Sequence, residues 1–365
     1  MKAIATIPGS KILKIVDRPE PEITEWDQVK IKITQVGICG TDREIASGGR
    51  ADAPAGSDEL VIGHEMLGTV VEIGGKVKTV KLGDTALFTV RRSCGNCTPC
   101  LEHRNDMCQT GNYTERGIRM YDGYMTEYVV DKEAYLLKIP EGIKDIAVMT
   151  EPYSVGMKAI DESAKIQSTR IPGQSYETYY KGKRALVAGL GPIGILAAFA
   201  LRLRGAEVIG LDIVDETSYR PSLLKEIGGT YINGKEVKTI DIDDLKGQID
   251  VIVEATGVAQ LGFELIDALG INGIYVVTGI PAADRTVSFV GGSLMQQMVL
   301  KNQLIWGSVN ASKEHNRMSI EDLEKAREKW GTAIDRVITE VMPYTDFARG
   351  FANTASEEIK TVLTF

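Results

Sequence analysis

Four of the five cysteines lie close together, at positions where they could share one metal ion. Cys94, Cys97, Cys100 and Cys108 fall within fifteen residues, separated by two, two and seven positions. Four thiolates can fill every position around a tetrahedral zinc ion, which is typical of a structural site. An odd number of clustered cysteines indicates metal binding in a reducing compartment and not a disulfide framework. The spacing therefore predicts a structural zinc site whose loss affects folding more than turnover.

The fifth thiol belongs to a second, looser group of possible metal ligands. Cys39 follows a predicted strand within the segment GICGTD (37–42), and His64 and Glu65 precede another predicted strand. Sulfur, nitrogen and oxygen from these residues could hold zinc and leave one position open for water or substrate, as catalysis requires. A buried cysteine and a hydrogen-bonded histidine of the core account for the same residues equally well.

A glycine-rich turn predicts a dinucleotide site. The segment GLGPIG (189–194) fits the pattern G-x-G-x-x-G, ends an apolar strand and begins a helix. Asp212 ends the next apolar strand, 21 residues after Gly191. In this context the glycines let the backbone approach a pyrophosphate at the positive end of the helix. The alternative is a strand-to-helix turn that binds no ligand.

Asp212 favours NAD over NADP. Its carboxylate can accept hydrogen bonds from both ribose hydroxyls of an adenosine, and it would repel a 2′-phosphate. A solvated aspartate at a strand end is the alternative explanation. Arg220 lies nearby in the sequence and could weaken the repulsion, so use of both cofactors stays open.

The hydrophobic pattern predicts an α/β protein with two different halves. Residues 1–151 consist of short apolar runs between turns, with predicted strands at 29–38, 66–74 and 124–130. A helix at 154–166 and a polar linker at 175–184 follow. Strands then alternate with helices, which predicts a doubly wound parallel sheet because parallel pairing requires crossovers. These strands are predicted at 185–191, 206–212, 250–257, 273–280 and 304–310.

The rest of the chain and its composition exclude several classes of protein. A helix is predicted at 319–330 and a strand at the C-terminus, in a segment that we expect to fold back onto the first half. A length of 365 residues suits two domains, and a net charge of −8 argues against a nucleic-acid binder or a basic membrane-surface protein. The apolar run 185–201 is interrupted by glycines, and no signal peptide is evident, so we expect a cytoplasmic protein. His103 and His315 are predicted to lie on the surface.

Taken together, these motifs resemble the zinc-dependent medium-chain alcohol dehydrogenases. The resemblance rests on GICGTD, on Gly63-His64-Glu65-x2-Gly68 with Gly74, on the four cysteines and on the glycine-rich turn, in this order along nearly the whole chain. Within that superfamily, the sequence is most similar to the glucose dehydrogenases of archaea. The segments that carry this likeness are ICGTDRE (38–44), LVIGHE (60–65), ERGI (115–118), DGYM (122–125), TEPYSVGMKAI (150–160), GSVN (307–310) and EIKTVL (358–363).

The resemblance implies a division of labour along the chain. Residues 1–155 would form a β-rich, GroES-like catalytic zinc domain, with the four cysteines in a lobe at 91–110. Residues 156–309 would form a Rossmann domain that binds NAD(P), and residues 310–365 would return to the catalytic domain. Members of the family are commonly homotetramers, sometimes homodimers.

The resemblance also implies roles for individual residues. The catalytic zinc would be held by Cys39, His64, Glu65 and Glu151. Thr41 would hydrogen-bond the hydroxyl being oxidised, and other sugar hydroxyls would contact Glu115, Glu151 and Asn310. The dinucleotide would be lined by Gly189, Leu190, Gly191, Pro192, Ile193, Gly194, Asp212, Thr256, Gly257, Thr278, Gly279, Ile280, Ser308, Val309 and Asn310.

The activity implied is oxidation of β-D-glucose or a related aldose at C1 to the lactone, with NAD and possibly NADP as acceptor. Alternatives within the superfamily are zinc dehydrogenases for a polyol, threonine or a secondary alcohol. A dinucleotide-binding sensor without activity is a further alternative, but an open zinc site would be of no use to it. The chain departs from the pattern at three places. Asp212-Ile213-Val214 stands where several relatives have basic residues. Val90 stands where some relatives have a sugar-binding asparagine, and Leu300 stands where others have a polar residue.

Overall fold

The computed structural model describes residues 1–281, 285–353, 355 and 357–365. Its internal contacts divide the chain into two compact units. The first comprises Met1–Glu151, Asn310–Glu324 and Ile338–Phe365, and the second comprises Pro152–Val309 and Lys325–Val337.

This division differs from the predicted boundaries at 155 and 309. The first segment of the first unit ends at Glu151, and residues 325–337 belong to the second unit although we predicted them in the catalytic domain. The reason is packing at the end of one long helix, where the ring of Trp330 meets that of Phe199 edge to face, with centroids 5.6 Å apart. Six residues further, the carbonyl of Arg336 accepts a hydrogen bond from the hydroxyl of Tyr219 at 2.8 Å.

The first unit is rich in β-strands, as predicted. Its described strands are β1 (Lys2–Thr6), β2 (Leu13–Asp17), β3 (Gln28–Gly37), β4 (Leu60–Val61), β5 (Glu65–Ile73), β6 (Thr85–Phe88), β7 (Arg91–Arg92), β8 (Thr114–Arg116), β9 (Met120–Tyr121), β10 (Tyr128–Lys132), β11 (Leu136–Lys138), β18 (Ile338–Pro343) and β19 (Lys360–Thr364). Its helices are α1 (Gly40–Ala46), α2 (Thr98–Leu101) and α10 (Phe347–Ala352), while α3 (Thr150–Arg170) and α9 (Lys313–Trp330) run from this unit into the second.

Strand β3 is the centre of the large sheet, whose order in the described residues is β11-β6-β5-β3-β19-β18. β3 pairs antiparallel with β5, with β10 and, at its end, with the C-terminal strand β19. Val29, Ile31 and Ile33 of β3 are fully buried, and their alternate spacing directs all three to one face of the strand. The hydrogen bonds along both edges therefore hold the end of β3 in a fixed position.

A smaller sheet, β7-β8-β9, is tied to the large sheet by buried charges. Arg92 on β7 and Arg116 on β8 both donate to Oδ2 of Asp131 on β10, from Nε at 3.1 and 3.0 Å. All three residues are at least 93% buried, with exposed fractions of 7%, 5% and 5%. Burial raises the pKa of Asp131, but the two guanidinium groups outweigh it and hold that pKa below its ordinary value of 3.8. The carboxylate therefore stays ionised and fixes the strand that bears Glu115.

The second unit contains a parallel sheet that confirms the predicted doubly wound fold. Its described strands are β12 (Arg184–Ala188), β13 (Glu207–Asp212), β14 (Thr230–Asn233), β15 (Ile249–Glu254), β16 (Leu269–Val277) and β17 (Leu304–Gly307). Its other helices are α4 (Pro192–Leu203), α5 (Tyr219–Glu226), α6 (Ile242–Lys246), α7 (Ala259–Glu264) and α8 (Gly291–Leu300).

The strand order places a crevice at a defined point of this sheet. The order is β14-β13-β12-β15-β16-β17. Strands β13 and β14 therefore follow β12 on one side of it, and β15, β16 and β17 follow on the other side. The loops after β12 and β15 leave the sheet in opposite directions, and ligands bind between such loops at the carboxyl ends of the strands.

Helix α4 is buried from Gly194 to Leu201, which explains the long apolar run there. Among the residues described, no helix has the length and apolar character needed to cross a membrane.

Two further sequence predictions differ from the structure, and one strand was missed. The segment predicted as a polar linker, 175–184, contains a short helical turn and two buried side chains, because the hydroxyl of Tyr180 donates to the carbonyl of Ile160 at 2.7 Å. The strand predicted at 124–130 begins only at Tyr128, since the N–H groups of Tyr124 and Met125 donate to the carbonyls of Gly63 and Ile62. Strand β14 was not predicted, because its four residues lie between glycines.

We predict that Asp131→Asn destabilises the chain in a pH-dependent way. Loss of the charge leaves two buried guanidinium groups without a counterion, which lowers the free energy of unfolding by about 3 kcal/mol at neutral pH. Because the folded pKa of Asp131 lies below 3.8, the wild type keeps this stabilisation above that pH and loses it as the pH falls further. Urea unfolding should show the same gap in the free energy of unfolding between the two proteins at pH 7 and pH 5, and a smaller gap at pH 3. A gap that is equal at all three values would contradict this account.

Candidate active site

The pairing of β3 with β5 brings the first group of predicted metal ligands together. Gly37 at the end of β3 lies opposite Glu65 at the start of β5. Cys39 follows as the N-cap of α1, and His64 immediately precedes β5. One ligand atom from each of Cys39, His64 and Glu65 lies within 4.8 Å of the others. The donor set of one sulfur, one nitrogen and one oxygen fits a zinc ion.

Asp42 orients two of these donors. It is fully buried, and its Oδ2 accepts a hydrogen bond from the backbone N–H of Cys39 at 2.9 Å. Its Oδ1 lies 3.3 Å from Nδ1 of His64, which leaves Nε2 as the nitrogen for a metal. Burial lowers the pKa of His64, but Asp42 and Cys39 outweigh it and hold that pKa well above 6.5. Binding of zinc to this imidazole therefore releases a proton.

Glu65 forms a buried ion pair that the sequence does not reveal. The Nζ of Lys360 donates to both carboxylate oxygens of Glu65, at 2.8 and 2.7 Å, and to the carbonyl of Ile38 at 3.0 Å. A Cβ at position 37 would lie 2.0 Å from Oε2 of Glu65, so any side chain there would displace this carboxylate. A metal would share the oxygens of Glu65 with Lys360, and the role of Glu65 as a zinc ligand stays a prediction.

Glu151 and Thr41 complete the set of predicted catalytic residues. Glu151 lies in the first turn of α3, where burial and the charge of Glu65 raise its pKa and the charge of His64 lowers it, with a net rise to about 7. A carboxyl group with this pKa can hold or release a proton near neutral pH. Thr41 lies in the first turn of α1, two residues after Cys39, and is partly exposed.

The structure joins two residues predicted to bind sugar hydroxyls. The amide Nδ2 of Asn310 donates to Oε1 of Glu115 at 2.8 Å, although 195 positions separate them in the sequence. Asn310 has a left-handed backbone with φ of 57°, which asparagine tolerates better than most residues do. Its Oδ1 accepts a hydrogen bond from the N–H of Ala311 at 2.7 Å. The two side chains are therefore fixed relative to each other.

The four remaining cysteines meet in a separate lobe. One Sγ from each of Cys94, Cys97, Cys100 and Cys108 lies within 4.8 Å of the other three, which fits the predicted tetrahedral zinc site. Hydrogen bonds from Thr110 and from neighbouring backbone N–H groups lower the pKa of Cys94 to about 5, so this thiol is ionised at neutral pH. The thiolate is the form that binds metal.

The glycine-rich turn of the second unit has the geometry that a pyrophosphate requires. Gly189 has φ of 86°, and a Cβ on Gly194 would lie 1.7 Å from the carbonyl oxygen of Gly189, so helix and strand touch here. A Cβ on Gly191 would meet no described atom within 4 Å, which means that open space lies in front of the turn. Pro192 and Ile193 follow in the first turn of α4, whose positive end faces this space.

Asp212 lies at the end of β13, beside the glycine-rich turn. Its Oδ2 accepts a hydrogen bond from the N–H of Leu190 at 2.8 Å, and the N–H of Ile213 donates to Oδ1 at 2.7 Å. Arg220 approaches the same carboxylate, with 3.6 Å between Nη1 and Oδ2. The structure thus places an anionic and a cationic group together where the adenosine ribose is predicted to bind.

Glu254, which our sequence analysis missed, fixes the other loops predicted to line the crevice. Its Oε1 accepts from the N–H groups of Thr256 at 2.6 Å and Gly257 at 2.9 Å, and from the hydroxyl of Thr256. Its Oε2 accepts from the N–H of Gly279 at 3.2 Å, while its carbonyl oxygen accepts from the Thr278 hydroxyl at 2.6 Å. One buried side chain therefore sets both loops, and its only sequence signal is an acidic residue that ends an apolar strand.

The remaining predicted residues differ in their exposure. Ser308 is buried, and its hydroxyl has no hydrogen-bond partner among the described residues, so it could bond to a cofactor. Ile280 and Val309 are exposed by 54% and 50%. His103 is exposed as predicted, but the prediction for His315 is wrong. That ring is buried because its Nδ1 lies 3.1 Å from the N–H of Ser312, which donates to it.

Comparisons with known proteins show which families the two parts of the chain match. The family model of the alcohol dehydrogenase GroES-like domain matches residues 25–141, and that of the glucose dehydrogenase C-terminus matches residues 144–365. The chain is 36% identical to the glucose 1-dehydrogenase of Methanocella arvoryzae over 100% of its own length and 99% of that protein. It is 34% identical to the glucose 1-dehydrogenase of Thermoproteus tenax, with the same coverage of both chains.

Solved structures show the same fold. The glucose dehydrogenase of Haloferax mediterranei, in complex with NADP, Zn and gluconolactone, superimposes with a TM-score of 0.89 at 29% identity and covers 100% of this chain and 99% of that chain. Galactitol-1-phosphate dehydrogenase from Escherichia coli has a TM-score of 0.81 at 22% identity, with the same coverage. The second likeness concerns the fold alone.

We predict that the two cysteine-containing sites bind zinc independently. The wild type should carry two zinc ions per chain, and Cys39→Ser and Cys97→Ser should each carry one, as measured by atomic absorption. Because the four-cysteine lobe is a closed site, Cys97→Ser should lower the free energy of unfolding by about 3 kcal/mol or more, while Cys39→Ser should change it far less. Equal stability of the two variants would show that the lobe has no structural role.

Proposed function

Because the chain belongs to the zinc-dependent medium-chain alcohol dehydrogenase family, close to the archaeal glucose dehydrogenases, we propose that it oxidises β-D-glucose or a related aldose at C1 to the lactone. The observation that carries the proposal is the pairing of Asn310 with Glu115 in the same unit as the Cys39 and His64 donor set. A site that presents polar groups for several hydroxyls suits a sugar, since it rejects analogues that leave those groups unpaired.

Cys39 and His64 would hold the catalytic zinc, together with Glu151 and Glu65 in the arrangement that the resemblance implies. When bound there, zinc would polarise the C1 hydroxyl and lower its pKa. Thr41 would hydrogen-bond this hydroxyl and relay its proton, because the Thr41 oxygen would accept the substrate proton as the Thr41 hydroxyl gives its own proton to water. Glu151, with a pKa of about 7, can take part in that transfer at neutral pH.

The second unit would hold the nicotinamide cofactor, which takes the hydride from C1 when it is bound. The pyrophosphate would bind the N–H groups at Gly191 and the start of α4, and the ribose would bind Asp212. Glu254 would keep the loops at Thr256 and Gly279 in place for the rest of the dinucleotide. We propose NAD as the favoured cofactor because the carboxylate of Asp212 would face the adenosine ribose, with NADP accepted to the extent that Arg220 offsets its charge.

A substrate panel tests the proposed activity. We expect turnover of glucose, galactose or xylose with NAD to exceed turnover of sorbitol and threonine, and dialysis against a strong chelator to abolish it. If sorbitol, threonine or a secondary alcohol exceeds every aldose by orders of magnitude, the chain is a different dehydrogenase of the family. The same sample, in light scattering, should contain the homotetramer or homodimer implied by the resemblance.

We predict that Asp212→Asn narrows the preference for NAD. The variant keeps an acceptor for the N–H of Leu190 but loses the negative charge, so repulsion of a 2′-phosphate falls and Arg220 becomes available to it. The ratio of kcat/KM for NAD to that for NADP should fall about ten-fold. Asp215→Asn, in the loop after β13, is a matched control that removes an equal charge nearby. An unchanged ratio in Asp212→Asn would remove this residue from cofactor selection.

A further inference from the structure

We propose that Arg91 is a positioning residue that holds Glu115 for the sugar and connects it to the four-cysteine lobe. The inference rests on the proposed function, because it assigns a substrate hydroxyl to Glu115. Arg91 lies on β7 directly opposite Glu115 on β8. Neither the metal motifs nor the segments that resemble the glucose dehydrogenases single it out.

Arg91 contacts Glu115 at only one of its two carboxylate oxygens. The guanidinium of Arg91 donates to a single carboxylate oxygen, Oε1, from Nε at 3.0 Å and from Nη2 at 2.9 Å. Asn310 donates to this same oxygen at 2.8 Å. Three donors therefore converge on Oε1, whereas Oε2 accepts no hydrogen bond from the residues that the structure describes. The carboxylate thus has one oxygen that is fixed by the protein and one that can accept from a ligand hydroxyl.

Arg91 also contacts the four-cysteine lobe. The remaining guanidinium nitrogen, Nη1, donates to the backbone carbonyl of Asp106 at 3.0 Å. In return, the side-chain amide of Asn105 donates to the backbone carbonyl of Arg91. Both residues belong to the helical turn Asn105–Met107, which ends immediately before the metal ligand Cys108. The position of this turn and the position of Arg91 therefore depend on each other.

Burial and stacking make the connection stiff. Arg91 is only 4% exposed, and its guanidinium lies 3.8 Å from the centre of the Tyr113 ring. A planar guanidinium can bond to a carboxylate along one edge, to a carbonyl at the other end and to a ring on its face, whereas the ammonium of a lysine cannot do all three. The guanidinium group is thus hydrogen-bonded along its edges and stacked on its face. The carboxylate of Glu115 therefore cannot rotate without breaking buried charged hydrogen bonds.

This arrangement predicts an effect on sugar binding and not on the chemical step. If Glu115 is mispositioned, the hydroxyls that it contacts are bound less well in the ground state and the transition state alike, which raises KM and leaves kcat nearly unchanged. Neither Arg91 nor Glu115 is among the residues predicted to line the dinucleotide, and Asn310, which is, keeps its hydrogen bond with the N–H of Ala311, so the KM for NAD should change far less than the KM for glucose. Movement of the turn Asn105–Met107, which precedes Cys108, should also lower the affinity of the four-cysteine lobe for zinc.

The experiment compares Arg91→Lys and Arg91→Gln with Arg119→Gln. Arg119 is a matched control because its guanidinium lies 4.7 Å from the same Tyr113 ring and its side chain makes no hydrogen bond with Glu115 among those described. For both Arg91 variants we expect the KM for glucose to rise on the order of ten-fold, with kcat and the KM for NAD within about two-fold of the wild type. Release of zinc from the lobe to a chromogenic chelator should be faster than in the wild type, and Arg119→Gln should behave as the wild type does.

Glu115→Gln and the double variant with Arg91→Gln decide whether Arg91 acts through Glu115. If it does, the KM for glucose of the double variant equals that of Glu115→Gln within about two-fold, because the two changes are not additive. An unchanged KM for glucose in both Arg91 variants, an equal rise in Arg119→Gln, or additive effects in the double variant would overturn the proposal. A wild type that does not oxidise aldoses would instead overturn the proposed function, and the zinc-release rates would still test the connection to the lobe.

Discussion

The register between β3 and β5 is the constraint on which the metal site depends. Cys39 follows the end of β3 and His64 precedes the start of β5, and they meet because Gly37 is paired with Glu65. A slip of one residue would turn the side chain of Glu65 to the opposite face of the sheet, away from Lys360. The ion pair of Glu65 with Lys360 therefore depends on the register that assembles the site. Since Lys360 lies on β19, the site is complete only after the last strand has joined the sheet.

Much of the fold, and most of the candidate site residues that the structure brings together, could be predicted from the sequence. The parallel sheet followed from alternating strands and helices, and the candidate metal ligands and the glycine-rich turn from residue types at fixed spacing. Their partners could not be predicted in this way. Lys360 is 295 positions from Glu65, and Asn310 is 195 positions from Glu115. Local sequence patterns cannot predict such contacts, because these residues come together only through the tertiary fold.

The errors in the prediction have the same origin. The segment 175–184 is polar in composition, yet Tyr179 and Tyr180 are buried, because a tyrosine can bury its ring when its hydroxyl finds a partner. His315 is buried for a similar reason, since its partner Ser312 lies on the preceding turn. In each case composition indicated the average behaviour of a residue type, whereas one hydrogen bond determined its actual environment.

Both units use a buried charged side chain to hold loops that motifs alone would leave undefined. In the second unit Glu254 accepts hydrogen bonds from two loops, and in the first unit Arg91 donates to a carboxylate and to a turn of the cysteine lobe. A buried charge is costly unless it is fully bonded, so each of these side chains has essentially one acceptable arrangement. This is the property that a binding site requires, because groups that are already fixed lose little conformational freedom when the ligand binds. The residues that touch a ligand can therefore be read from motifs, while the residues that hold them in place have to be found from the structure.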